Sequence, residues 1–189
     1  MANKDAAFGL RPIGKVGQNG DNAGLSEYDI AASATAIYQN DPVAMLATGT
    51  IGVAAAGDTL LGSLNGVFFT DATTSKPTFA NHLNASNTAT DIVGFVSDDP
   101  YQRFEIQSDN TGASAQTDIG NVADIVYAAG SSPNYVSKVE LDDSDLATSD
   151  GQLKVIGLSK DPDNSDLTSA NVNWVVTINE HFLKKEAGV

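Results

Sequence analysis

The sequence predicts a mainly β protein, an antiparallel barrel or sandwich of one or two lobes, with an extended N-terminal arm. Three observations support this fold class. Short runs rich in Val, Ile, Tyr, Phe and Thr recur along the chain, separated by clusters of Gly, Asn, Asp and Ser. Several of these runs alternate between apolar and polar residues, which is the period of a half-buried strand. No window of a dozen residues shows the period of an amphipathic helix.

Residues 1–24 are predicted to form the arm, because glycine recurs every few residues, Pro12 would break a helix and no periodicity is present. Two interpretations remain open. The segment is either a disordered terminus or an arm that becomes ordered on a neighbouring subunit. The second interpretation expects the fold to survive removal of residues 1–14. It assigns subunit contacts to five residues, Phe8, Leu10, Arg11, Pro12 and Ile13.

A β domain is predicted over residues 25–181 and a C-terminal tail over residues 182–189. Nine runs within the domain have the length and composition of strands. In chain order they are residues 28–31, 36–46, 66–70, 91–96, 103–107, 122–128, 135–141, 153–158 and 172–178.

The last run, VNWVVTI, has the clearest alternation. Every second residue from Val172 to Ile178 is apolar, and this face includes Trp174, the only tryptophan of the chain. We therefore expect Trp174 to lie in the core.

Two stretches resemble each other, IVGFVSDDP at 92–100 and VIGLSKDP at 155–162. Each has a short apolar run, a glycine, a serine and an Asp-Pro pair, and each precedes an alternating strand. The similarity predicts a duplicated hairpin-like unit and is the reason for considering two lobes.

The acidic stretch DDPYQRFEIQSD at 98–109 would suit either a pair of catalytic carboxylates or a corner between strands. The second of the two similar stretches keeps the Asp-Pro pair but has Lys160 in place of Asp98. Aspartate before proline is typical of turns, because the carboxylate accepts hydrogen bonds from local N–H groups and proline fixes φ. Asp98 and Asp99 are therefore predicted to form a corner.

No other motif predicts chemistry. The acidic loops at 141–151 and 161–166 lack the glycine and glutamate positions of a calcium loop, which leaves only a weak, irregular cation site as an alternative. His82 and His181 have no partner nearby in sequence, although a Ser-His-Asp triad can assemble in space. Neither a nucleophile elbow nor a phosphate-binding loop is present. We assign no catalytic, metal or cofactor residues and expect no enzyme activity.

Composition and charge argue against two classes of binding partner, nucleic acids and membranes. The formal net charge is −14, and residues 91–166 contain fifteen acids against four bases. Such a surface repels phosphate backbones and anionic lipids, so nucleic-acid and membrane binding are not expected. There is no cysteine, no apolar run of the roughly 20 residues that a membrane span needs and no secretory signal at the start. We expect a soluble chain made in a cytoplasm.

The chain resembles a family of tailed-bacteriophage virion proteins, the capsid decoration (cement) and head structural proteins common in marine phages. The resemblance begins with MANKDAAFGLRP at 1–12, which contains the pairs Phe8-Gly9 and Arg11-Pro12. It continues over most of the chain in a string of short β signatures. These are NDPV at 40–43, DDPYQRFEIQ at 98–107, IGNVADIVY at 119–127 and WVVTINEH at 174–181.

This resemblance implies a β-rich protein on the outer surface of an icosahedral head. Its partners would be the major capsid protein, whose neighbouring subunits it clamps, and further copies of itself, with a trimer as one form. It would have no catalytic residues. Two alternatives remain open: a tail or head–tail connector component, and a carbohydrate- or cation-binding β-module for host attachment.

Overall fold

The computed structural model describes residues 2–17, 24–109 and 114–184. Over these residues the protein is mainly β, with antiparallel sheets packed as a sandwich, as the sequence predicts. Helical structure in the same ranges is limited to single 3₁₀ turns at Gln116–Asp118, Asp143–Asp145 and Phe182–Lys184. No helix among them is long and apolar enough to cross a membrane.

Thirteen strands form in the described ranges. The first seven are β1 (Arg11–Lys15), β2 (Ser26–Asp29), β3 (Pro42–Met45), β4 (Ile51–Val53), β5 (Gly62–Thr70), β6 (Pro77–Ala80) and β7 (Val93–Ser97). The others are β8 (Gln102–Gln107), β9 (Val122–Ala123), β10 (Ile125–Val126), β11 (Glu140–Leu141), β12 (Leu153–Leu158) and β13 (Asn173–Ile178).

The first sheet has five antiparallel strands in the order β1-β8-β13-β12-β9. Its strands supply half of the residues of one hydrophobic cluster. The alternation predicted for the last strand is confirmed, because Val172, Trp174 and Val176 are fully buried and Ile178 is 2% exposed. Trp174 pairs with Ile106 of β8, which lies in the same core.

The second sheet has the order β2-β7-β5-β3-β4, and β6 pairs with the second half of β5. Half of the residues of a second hydrophobic cluster lie on its strands, whereas Ala44 of β3 belongs to the first cluster. A two-stranded ribbon, β10-β11, completes the sheets. Each of the nine predicted runs contains strand residues, whereas β1, β4 and β6 were not predicted.

The connection from β7 to β8 crosses between the two sheets. The prediction of a duplicated hairpin is therefore wrong for the first of the two similar stretches. β7 hydrogen-bonds to β2 and β5, while β8 hydrogen-bonds to β1 and β13. In the second stretch β12 and β13 are antiparallel neighbours and do form a hairpin. The shared sequence thus encodes a corner, which the chain uses in two different topologies.

The N-terminal segment lies on its own domain. Leu10 is fully buried in the first cluster, donates its N–H to the carbonyl of Asn40 (2.9 Å) and accepts from the Ser63 hydroxyl (2.6 Å). The following residues form β1, an edge strand of the first sheet. The structure therefore argues against the expectation that residues 1–14 can be removed without affecting the fold. Residues 1 and 18–23 of the predicted arm lie outside the described residues.

Residues 3–6 cross the polar face of β8. The Gln107 amide donates to the Lys4 carbonyl (3.0 Å) and accepts from the Ala6 N–H (2.9 Å). The Asn3 side chain donates to the carbonyls of Asp166 and Ala170, in the loop before β13. The Gln107 end of β8 is consequently covered by residues 3–6 of the same chain.

The first residue of the predicted tail, Phe182, contacts the β domain. Phe182 donates its N–H to the Leu60 carbonyl (2.8 Å), and its ring packs against the second cluster. The remainder, residues 185–189, lies outside the described residues.

Candidate interaction surface

Asp98 and Asp99 form the predicted corner and hold neighbouring strands together. Asp98 accepts hydrogen bonds from the Ser26 hydroxyl (2.9 Å) and the Tyr28 hydroxyl (2.6 Å), which ties β2 to the corner. Asp99 accepts from the Tyr101 N–H (2.7 Å) and pairs with Lys15 (2.8 Å). The hydrogen bond from Lys15 and that N–H lower the pKa of Asp99. Both carboxylates are bound by structural partners.

Glu105 occupies a buried polar site on β8. It is 5% exposed, forms an ion pair with Arg11 of β1 and accepts a hydrogen bond from the Ser159 hydroxyl. The guanidinium of Arg11 also lies 4.4 Å from the centre of the Phe8 ring. The ion pair between Arg11 and Glu105 joins β1 to β8.

The two histidines lie in separate places and make different contacts. His181 is 1% exposed, and its Nδ1 accepts the Leu183 N–H (3.1 Å). His82 stacks on Tyr135 with ring centres 3.8 Å apart, and its Nδ1 lies 3.0 Å from the Asn81 side-chain oxygen. Burial lowers the pKa of both imidazoles. No hydrogen bond between described residues joins either ring to a serine or threonine.

The acidic loops form local turns. Asp142 accepts from the N–H and hydroxyl of Ser144, and Asp166 accepts from the same two groups of Thr168. No group of three or more His, Asp or Glu side chains within the described ranges is arranged to hold a metal ion. These carboxylates satisfy the backbone of their own turns.

A cavity of about 530 Å³ lies between β4 and the loop that follows β2. Its lining is apolar apart from the hydroxyls of Ser33, Thr35 and Tyr127. Burial raises the pKa of Tyr127 to about 12, with Asp41 as a smaller cause.

The five residues assigned to subunit contacts have different environments. Leu10 is buried inside the domain, and Arg11 is ion-paired with Glu105. Phe8 and Pro12 are half-buried, and Ile13 is 48% exposed. Leu10 is thus unavailable to a neighbouring subunit in this conformation, whereas Ile13 is available. The assignment of subunit contacts to Phe8, Arg11, Pro12 and Ile13 stays a prediction.

Phe79 is 71% exposed, the highest exposed fraction of any large hydrophobic side chain in the described ranges. It belongs to a surface on the outer side of the second sheet that we call the phenylalanine face. Phe68 pairs across strands with Phe79 on one side and Val93 on the other, so the three side chains share that face. The ring of Phe79 lies 5.3 Å from those of both Phe68 and Phe95. The face comprises Leu25, Phe68, Phe79, Val93 and Phe95.

Alternation in β5 explains why these rings point outward. Val67 and Phe69 enter the second cluster, so Phe68 between them must face the other way. A contiguous apolar patch on an otherwise acidic protein is typical of an interaction site, because single exposed apolar residues are common and clusters are rare. The sequence did not predict this face for two reasons. β6 begins with Pro77, and proline is uncommon inside strands. In GVFFT three apolar residues follow one another, so no alternation shows which phenylalanine faces outward.

A shallow groove of about 400 Å³ lies beside the face. Its lining combines the apolar side chains of Leu25, Phe79 and Phe95 with the carboxamides of Gln39, Asn65 and Asn81. Carboxamides both donate and accept hydrogen bonds, so this lining suits polar backbone groups next to an apolar contact.

The chain matches no protein-family model, and no curated protein or solved structure shows significant similarity to it.

Proposed function

We propose that the chain is a virion structural protein that binds the outer surface of an assembled phage capsid. It would stabilise the head by clamping neighbouring major capsid subunits. The observation that carries the proposal is the phenylalanine face, an apolar patch presented by a rigid antiparallel sheet. The opening residues and the short β signatures that resemble phage decoration proteins support the choice of a capsid as the partner.

The physical requirements of such a protein agree with this chain. Each copy must contribute apolar contact area, and covering the side chain of Phe79 alone would contribute about 1.5–3 kcal/mol. Many copies on one shell multiply modest contacts through avidity. The net charge of −14 would keep decorated particles from associating with one another.

Co-sedimentation with purified phage heads that lack this chain tests the proposal. We expect the wild-type protein to pellet with heads at a saturable ratio. The double variant Phe79→Ala/Phe95→Ala should lose most of this binding. The matched control is Leu46→Ala, which shortens a 41% exposed leucine outside the phenylalanine face and should bind normally.

Two results would contradict the proposal. The first is wild-type protein that stays in the supernatant at every head concentration. The second is equal loading of the wild type and the double variant, which would show that the phenylalanine face is not the contact.

A further inference from the structure

One edge of the second sheet ends at β2, and no other described strand pairs with that edge. Ile30 donates its N–H to the carbonyl of Ile92 (3.0 Å), so the even-numbered residues of this strand pair with β7. Glu27 and Asp29 therefore point their N–H and C=O groups away from the sheet. Neither residue makes another backbone hydrogen bond within the described part of the chain.

The side chains of these two residues border the phenylalanine face. Glu27 pairs across strands with Phe95, and Asp29 pairs with Val93, so both carboxylates lie on the same side as the rings. Both are exposed, and neither forms an ion pair with another described residue. The open edge thus combines free backbone groups, two negative charges and an adjacent apolar surface.

We propose that β2 accepts an extended, lysine- or arginine-bearing segment of a different protein as an additional strand of the second sheet. Its identification as a segment of a capsid protein rests on the function proposed above. Main-chain hydrogen bonds to Glu27 and Asp29 would provide affinity, and side chains facing the two carboxylates would provide specificity. Opposite charges directly across a strand pair are stabilising.

The charges disfavour a second copy of this chain at the same edge. Pairing β2 with β2 of another copy would bring the carboxylates of Glu27 and Asp29 against the same two groups. Like charges opposite each other destabilise a strand pair, and such charges are a common protection of exposed edges. A cationic partner is favoured for the same reason.

The apolar neighbours favour long cationic side chains in particular. Phe95 lies one strand further into the sheet than Glu27. A lysine or arginine could pair with the carboxylate and lay its aliphatic stem towards the ring.

The test is amide hydrogen exchange with residue-level fragmentation, using two probes. The first is phage heads that lack this chain, and the second is a short synthetic peptide of alternating lysine and valine, with a glutamate–valine peptide as control. We expect both the heads and the lysine peptide to slow exchange at the amides of Glu27 and Asp29. Exchange at Tyr28 and Ile30, which already bond to β7, should stay unchanged.

Charge reversal provides the second readout. Glu27→Lys/Asp29→Lys should weaken binding of the lysine peptide by about tenfold or more, because two attractive pairs become repulsive. Asp58→Lys/Asp145→Lys is the matched control, since it changes the net charge equally at two exposed residues away from β2 and should bind normally. Thermal unfolding of both variants would verify that they are folded.

The outcomes separate this inference from the proposed function. Protection by the lysine peptide without binding to heads supports the open edge as a cationic-strand site and contradicts the capsid assignment. Binding to heads without protection of Glu27 and Asp29 overturns the inference and leaves the capsid assignment intact. Equal protection by the two peptides, or undiminished binding after charge reversal, also overturns the inference.

Discussion

Phe79 of β6 stacks on Phe95 of β7, with ring centres 5.3 Å apart and planes 15° from parallel, although β5 lies between their strands. The residue of β5 opposite Phe95 is Gly66, where an added Cβ would lie 3.0 Å from the Ala80 carbonyl oxygen of β6. The aromatic surface thus spans three strands at a point where the backbones of β5 and β6 approach closely. This surface is the part of the molecule on which the proposed function depends.

Phe79→Ala should leave the free energy of unfolding within about 0.5–1 kcal/mol of the wild type, because the side chain is already largely in water. Phe69→Ala is the comparison, since Phe69 is 9% exposed on the opposite face of the sheet. It should cost about 3–5 kcal/mol. Urea denaturation followed by circular dichroism measures both. Equal losses in the two variants would mean that Phe79 serves the fold and not a partner.

Gly9→Ala should destabilise the protein more than Gly17→Ala. Both glycines have positive φ, +75° and +88°, so each substitution introduces the strain of the left-handed region, about 1 kcal/mol. Only at Gly9 would the new Cβ clash, at 2.4 Å from Ser137 Cβ and 2.5 Å from the Asn40 carbonyl. We expect an additional loss of about 1–3 kcal/mol there. Equal melting temperatures for the two variants would show that residues near Gly9 do not dock on the domain.

As the pH rises from about 4 to about 6, the ionisation of Asp41 should lower the free energy of unfolding. This carboxyl is fully buried, and burial raises its pKa from 3.8 to about 6, although the Ser137 hydroxyl and the Tyr38 N–H favour the charged form. In that range the folded state holds a proton that the unfolded state has released, so raising the pH favours unfolding. Above pH 6 this loss in the free energy of unfolding is on the order of 3 kcal/mol.

Asp41→Asn isolates this contribution. The amide oxygen can still accept the Tyr38 N–H, which now bonds to Asp41 at 2.7 Å. The difference in unfolding free energy between variant and wild type should shift in favour of the variant as the pH rises from 4 to 7. Other carboxyls with raised pKa values, such as Glu140, titrate in both proteins and cancel. A difference independent of pH would contradict the prediction.

Trp174→Ala should cost about 3–5 kcal/mol, because the indole is fully buried in the first hydrophobic cluster. Trp174→Phe should cost less, since the buried indole N–H has no hydrogen-bond partner among the described residues and is removed by the change. Urea denaturation followed by far-ultraviolet circular dichroism suits both variants, which lack the only tryptophan. A loss below about 1 kcal/mol for the alanine variant would contradict the core assignment.

The sequence allowed the fold class and the core of β13 to be predicted, because alternation decides which face of a strand is buried. Trp174 is an example: its neighbours two residues away are apolar, and all are buried. The corner at Asp98 could also be predicted, since Asp-Pro chemistry is local. Such features depend on residues close together in the chain.

The pairing of distant segments could not be predicted in the same way. Hydrogen bonds to Asn40 and Ser63 hold Leu10 in the core, and no local sequence pattern indicates these contacts. The phenylalanine face likewise depends on the order of three strands, and β6 begins with a proline that hides its strand character. Glu105 shows the same limit, because its partners Arg11 and Ser159 come from opposite ends of the chain.

Cryo-electron microscopy of phage heads incubated with the purified chain would show whether the phenylalanine face contacts the shell. We expect ordered density for the β-sandwich on the outer surface of the shell, at a symmetry-related set of sites bridging neighbouring capsid subunits. The side chains of Phe79 and Phe95 should point into that contact. Heads with no added density, or density in which the phenylalanine face is turned towards solvent, would contradict the account.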